Sequence, residues 1–306
     1  MRFLLVPERL MPQAKWQLSK HTGALYEYCY RHITALDEDS ISQYCASLRH
    51  RFRALKPQPE AAEQWIARTY ISLKYVLAAS VMLSSAEFAS ARNLRIVEPY
   101  LLYYSIFNAS RALCLLIPEL QWNDGSLLDA LTHTKVQNVV HDCLRYFSQS
   151  TAGEYKVLSS RALAAREMLS YKFPALGLSG RLGTIMPRLE DVVGICEFVA
   201  DAAQLHSECV EAEFRDLPDV EFPDDSKPLE KLFIYQHKSL DARLIDSEDA
   251  YRMWQFVRHS TKPWSLHQTA REGLVEDFFG AWASEEGKQG QYDADKTDWS
   301  IIFDFF

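Results

Sequence analysis

The chain has 306 residues, 48% of them apolar and 24% charged, a composition that excludes disordered, collagen-like and disulfide-scaffold chains. Its length holds one large globular unit or two modest ones. A net charge of −8 argues against a surface that coats nucleic acid throughout, although a whole-chain total hides local patches.

Taken in chain order, the N-terminal apolar run Phe3 to Val6 stops at Pro7 and Glu8, too short for the core of a secretory signal. No proline lies between 13 and 56, 60 and 98, or 119 and 173, and glycine numbers only 11, so long helices are expected and the fold class is mainly α. After Pro57 and Pro59 the apolar residues Trp65, Ile66, Ile71, Leu73, Val76, Leu77 and Val81 predict a helix over about 62–92. Pro99 opens a second helix that runs to about Leu116 and is apolar nearly all round, as a central helix is. Polar interruptions at Ser105, Asn108, Ser110 and Arg111 argue against a membrane span there. Further helices are predicted over about 134–148, 159–171 and 187–213.

Beyond 214 the pattern changes to an acidic, proline-containing stretch over 216–228, with short helical candidates near 246–259 and 268–283 and an apolar end, Trp299 to Phe306. The expected organisation is therefore a helical domain over 1–214 and an acidic, less regular region over 215–306. Residues 1–134 carry 14 basic and 12 acidic side chains, residues 135–188 carry 8 and 3, and residues 189–306 carry 11 and 26. A basic middle is thus followed by a strongly acidic third, which could cover the basic face and hold it inactive.

The six cysteines are dispersed, with no CxxC pair, and are expected to be reduced packed thiols of a cytoplasmic protein. Cys29 with His32 and His141 with Cys143 fall short of the four ligands of a structural zinc site, so no metal is expected. There is no glycine-rich phosphate loop, HExxH, GxSxG or EF-hand pattern, and no cofactor is expected either.

The segments PYLLYYSIFNASRALCLL, LTHTKVQNVVHDCLRYF and LSSRALAAREMLSYKFP, over roughly residues 92–171, together resemble the HEPN superfamily of small helical bundles. They are also similar to YaaC-like proteins. The resemblance covers about a quarter of the chain. It implies an up-and-down bundle with its core at about 62–171, and an RNA-directed protein of toxin or antiviral-defence type. Many such proteins are homodimeric, metal-independent ribonucleases whose Arg/His pairs hold the scissile phosphate and move protons. Arg166 matches the family arginine, but the residue five positions on is Tyr171, and no histidine lies between 142 and 205. A tyrosine is a weak acid and a poor base at neutral pH. Arg252 and His259, seven positions apart, are a literal substitute that a helix would bring near one face.

Asn108 and Arg111, polar on an apolar helix, must find partners or line a polar pocket with His133 and Arg166. The ordinary reading of His133 and of His141, eight residues on, is a helix-start hydrogen bond and a partly buried contact. Lys135, Arg145, Lys156 and Arg161 are the candidate RNA contacts of the basic middle. Arg49, Arg51, Arg53 and Lys56 read as a solvated helix end that could add phosphate contacts. At the C-terminus Trp299, Ile301, Ile302, Phe303, Phe305 and Phe306 must dock on their own core or on a partner protein. Two functions follow: an RNA-cleaving or RNA-binding effector, or a catalytically degenerate helical scaffold that assembles through its C-terminal region.

Overall fold

A computed structural model describes residues 18–33, 37–122, 127–172, 185–219, 249, 251–252, 261–270, 273–285 and 292–305. The fold is mainly α, and the described residues form no strand. The helices are α1 (Ser19–Thr22), α2 (Glu38–Ala54), α3 (Ala62–Ala91), α4 (Glu98–Leu115), α5 (Leu127–Ala130), α6 (His133–Leu144), α7 (Gln149–Lys172), α8 (Leu189–Phe214), α9 (Leu266–Ala270) and α10 (Leu274–Gly280).

The proline-free stretches become the longest helices because nothing interrupts their hydrogen-bond ladders. With the turn before it, α3 is long and apolar enough over Pro59–Ala91 to cross a membrane, and most of that stretch is buried inside the fold as a core helix. Asn93, at φ 57°, turns the chain back into α4, whose first turn holds Pro99 where no amide donor is required. The all-round apolar surface of α4 is explained by its neighbours, since it packs on α3, α6, α7 and α8.

Helix α8 is a polar spine inside this apolar shell. Asp201, wholly buried, accepts the backbone N–H groups of Arg31, His32 and Ile33 at 3.0, 2.8 and 3.3 Å. Glu197 takes His32 Nε2 at 2.6 Å and Arg31 at 3.4 Å. Farther along, Gln204, Ser207 and Glu211 accept the backbone N–H groups of His267, Leu266 and Ser265. A segment near the N-terminus and the start of α9 are thereby fixed to one helix, whose side chains satisfy backbone N–H groups that lack another partner.

Several boundaries differ from expectation. The helix expected over 134–148 ends at Leu144, and the next begins at Gln149 rather than 159. Ser148 explains the break: its Oγ accepts Thr151 N at 3.2 Å and its carbonyl accepts Ala152 N, a side-chain cap that starts α7. The helix expected over 268–283 is two short ones, with Gly273 at φ 72° beginning the second. The candidate at 246–259 lies mostly outside the described residues, as does the acidic stretch beyond 219. What is described of the C-terminal third belongs to the main core, where Leu266, Val275, Phe279, Ile302, Phe303 and Phe305 join one buried cluster with α3 and α8. Five of the six cysteines are buried and all are free thiols.

Candidate functional site

Residues Tyr103, Phe107 and Arg111 recur every four positions on α4 and so share one face. Tyr103 is 3% exposed and stacks on Phe107 with centroids 5.9 Å apart and planes 14° apart. The His133 ring lies 4.5 Å from Phe107 and 5.5 Å from Tyr103. From α7, the Arg166 guanidinium stands 5.6 Å over Tyr103 and 5.8 Å from Tyr104, to whose hydroxyl it donates at 3.2 Å. Arg111 lies 4.6 Å over Phe107 and donates to the Tyr75 hydroxyl and to the carbonyls of Leu128 and Leu131 at 3.2, 3.2 and 3.4 Å. Those carbonyl bonds hold the end of α5 and thereby set where α6 begins, at His133. The structure therefore brings together Arg111, His133 and Arg166, with Asn108 half-buried on the same helix as Arg111.

The electrostatics of this cluster are one-sided. Neither Arg111 nor Arg166 forms an ion pair with a carboxylate among the described residues. The Nε atom of each is buried and without an acceptor, an arrangement that costs stability. Burial pushes the His133 pKa below its ordinary value and the two guanidinium charges push it further, with Glu167 opposing, so the ring is neutral at neutral pH. The α6 N-terminus adds partial positive charge: Thr132 gives no side-chain cap, and its first turn holds no acidic residue.

A hydrogen bond joins Tyr103 Oη to His133 Nδ1. Burial raises the Tyr103 pKa well above its ordinary value, so the hydroxyl keeps its proton. That proton needs an acceptor in an apolar surround, and Nδ1 is the one at hand. Tyr103 therefore donates, and the neutral His133 carries its own proton on Nε2. In that tautomer His133 Nε2 is a hydrogen-bond donor and accepts no proton.

The remaining candidates are elsewhere. Tyr171 is 73% exposed near the end of α7, outside the hydrogen-bonded cluster. A five-residue step on a helix turns by more than a third of a circle, yet Tyr171 stays within electrostatic reach of Arg166. Arg252 forms an ion pair with Asp277 of α10, which uses its charge within the fold; His259 lies outside the described residues. Lys135 and Lys156 are exposed. Arg145, also exposed, meets Gln149 at 3.2 Å and Asp142 at 4.0 Å. Arg161 donates to the carbonyls of Ile185 and Met186, tying α7 to the segment that leads into α8. The basic run at the end of α2 is not a free phosphate surface: Arg49 and Arg53 pair with Glu213 at 2.7 and 2.8 Å, and Arg51 with Glu119 at 2.5 Å.

The apolar tail docks on the chain's own core, the first of the two alternatives that its sequence left open. Ile302 and Phe303 are 0% exposed and Phe305 is 2% exposed. Phe303 packs on Tyr28 at 4.9 Å, Trp299 stacks on Phe279 at 5.2 Å, and Arg31 donates to the carbonyls of Ser300 and Ile301. Phe306 lies outside the described residues.

A second polar cluster joins Cys143, His206 and Tyr44, with the Tyr44 hydroxyl 3.1 Å from Sγ and 2.5 Å from Nε2. Burial pushes the thiol up to about 11 and the imidazole down to about 4, so both stay neutral and the cluster reads as core pairing. Sequence reasoning passed over Tyr103, Tyr104 and Phe107 as core. The signal that marks them is the four-residue spacing that ends on an arginine.

Compared with protein-family models, with curated proteins and with solved structures, the chain matches none.

Proposed function

We propose that this chain is an RNA-binding effector of HEPN-like type, as the resemblance of roughly residues 92–171 to toxin and antiviral-defence proteins implies. Arg166 and Arg111 hold phosphate, and His133 donates to it. The observation that carries the reading is the placing of two guanidiniums, without carboxylate partners among the described residues, around the aromatic rings that His133 also touches, its Nδ1 bonded to the Tyr103 hydroxyl. Arginine forks match phosphate oxygens, and half-buried cations without counter-charges gain most from an anionic ligand. Exposed Lys135 on α6, Arg145 just after it and Lys156 on α7 supply further, sequence-independent contacts to the backbone.

Binding is favoured over strand cleavage by these same residues. A neutral His133 with Nδ1 occupied by Tyr103 and a proton on Nε2 offers no base for a 2′-hydroxyl, and Tyr171 stands exposed where the family places its histidine. Homodimer formation, which the resemblance also implies, would place two such clusters in one assembly. The test is titration of fluorescent single-stranded RNA with the full chain at two salt concentrations, together with a cleavage assay. Salt-sensitive binding that Arg166→Gln weakens about tenfold or more, without shortening of the RNA, is expected. RNA binding that ignores Arg166 overturns the proposal.

A further inference from the structure

We infer that the turn between α3 and α4, with the end of α7 beside it, is a docking surface for an anionic lipid bilayer, into whose interface Leu94, Ile96 and Val97 insert. The inference is independent of the RNA-binding reading above and uses none of its binding residues.

Helices α3 and α4 form an antiparallel hairpin, in which Ser72 donates to the Ala112 carbonyl and Arg68 to that of Leu115. The corner of the hairpin is the run RNLRIV, residues 92–97, every one of them exposed. Leu94, Ile96 and Val97 are 45%, 54% and 44% exposed, three large aliphatic side chains within four positions. The backbone holds them there. Asn93 takes the left-handed conformation at φ 57°, Leu94 N donates to the Ala89 carbonyl at 2.8 Å, and Val97 N and Glu98 N both donate to the Leu94 carbonyl. Adjacent aliphatic groups presented to water by an ordered turn mark a surface that is buried in use.

Charge says against what. Helix α7 runs antiparallel to α4 and ends at the same place, since Arg166 meets Tyr104 and Ser170 Oγ meets the Tyr100 hydroxyl, each at 3.2 Å. It adds exposed Tyr171 and Lys172. Arg92, Arg95 and Lys172 form no ion pair among the described residues; Arg92 lies over the Phe88 ring at 5.2 Å. The acid of the turn, Glu98, is buried and faces Ser90 and Arg95, while Glu87 and Glu167 lie more than a helical turn back from Arg92 and Lys172. The tip is therefore aliphatic and cationic, with a tyrosine at its margin. Aliphatic groups suit the acyl boundary of a bilayer, cations its anionic headgroups, and tyrosine the interface between them.

Other occupants fit less well. Leu94, Ile96 and Val97 offer no ring on which a base stacks, so RNA gains nothing from them. A protein partner must supply a hollow shaped to a protruding turn, whereas a bilayer receives one without shape complementarity.

The experiment is co-sedimentation of the full chain with phosphatidylcholine vesicles, with and without about a third of phosphatidylserine, at two salt concentrations. Binding to the anionic vesicles that weakens with salt is expected, and little binding to the neutral ones. Leu94→Ser combined with Ile96→Ser, and Arg92→Gln combined with Arg95→Gln, should each weaken it about tenfold or more. Tyr146→Ser should leave it unchanged: that ring is exposed near the far end of α4, beside the Tyr44 that reaches the Leu116 carbonyl through His206. Every substituted side chain is exposed, and thermal melting checks that each variant is folded. No binding to anionic vesicles, or binding indifferent to the turn variants, overturns the inference. It is equally overturned if those variants spare vesicle binding but lower RNA affinity or the assembly mass in light scattering, which would give the surface to RNA or to a second copy of the chain.

Discussion

Replacing Glu208 by glutamine should stabilise the protein at alkaline pH and leave it almost unchanged near pH 4.5. Glu208 lies on α8 and is 1% exposed. Its Oε1 accepts Gln204 Nε2 at 2.9 Å. Burial pushes its pKa up from the ordinary 4.5 to about 7; hydrogen bonds from Thr22, Gln204 and Tyr30 pull it back, and Glu211 adds repulsion. That rise, at roughly 1.4 kcal/mol per pH unit, makes the ionised carboxylate cost about 3 kcal/mol of folding free energy above pH 7. Because the folded pKa is the higher one, the favourable contribution is full below pH 4.5 and is lost as pH rises through 7. Glutamine keeps the acceptor for Gln204 and never ionises. Asp201, raised to about 6 by the same burial, is present in both proteins and cancels in the difference. Urea unfolding at pH 8 should show the variant more stable by about 3 kcal/mol, shrinking to under about 0.5 kcal/mol at pH 4.5. Equal stability at pH 8, or the same increment at both pH values, would refute the reasoning. RNA affinity should be unchanged, since Glu208 lies outside the cluster on α4, α6 and α7.

Three other substitutions probe the core and the site. Phe303→Ala removes a fully buried ring packed on Tyr28 and Phe305 and should cost about 3–5 kcal/mol; a loss under about 1 kcal/mol in thermal melting would show that the tail is not part of the core. Arg68→Met unpairs the carbonyls of Leu115, Ile117 and Leu120, which the guanidinium now satisfies at 2.5, 2.8 and 2.8 Å where α4 ends. It should lower stability by about 3–5 kcal/mol in denaturant titration, and a neutral result would contradict the capping role. Tyr103→Phe keeps the stacking on Phe107 but removes the donor to His133 Nδ1. Nitrogen NMR should find His133 protonated on Nε2 in the parent protein and mixed between tautomers in the variant; a parent protonated on Nδ1 would overturn the donor assignment.

The helices that carry the site were legible because proline-free, apolar-periodic stretches have few other ways to satisfy their backbones, and α3, α4 and α8 lie within a few residues of expectation. The start of α7 was not legible: Gln149, Ser150, Thr151 and Gly153 read as loop, while the capping hydroxyl of Ser148 decides the matter locally. The start of α9 was not legible either, because Gln204, Ser207 and Glu211 fix it through contacts across more than fifty residues of sequence. At the site, Arg111, His133 and Arg166 stood out as polar groups on apolar helices. Tyr103 did not, since a buried tyrosine looks like core until the partner of its hydroxyl is known. The resemblance pointed to position 171 for a histidine, whereas the fold sets His133 of α6 beside the same Tyr103 ring that Arg166 covers.

The most direct measurement is an NMR titration of the arginine Nε–H signals with short single-stranded RNA. The account predicts that the Arg111 and Arg166 signals shift in step with binding while the signal of Arg68, bonded to the Leu115 carbonyl, stays fixed. Binding that leaves the Arg111 and Arg166 signals unmoved would place the RNA elsewhere and contradict it.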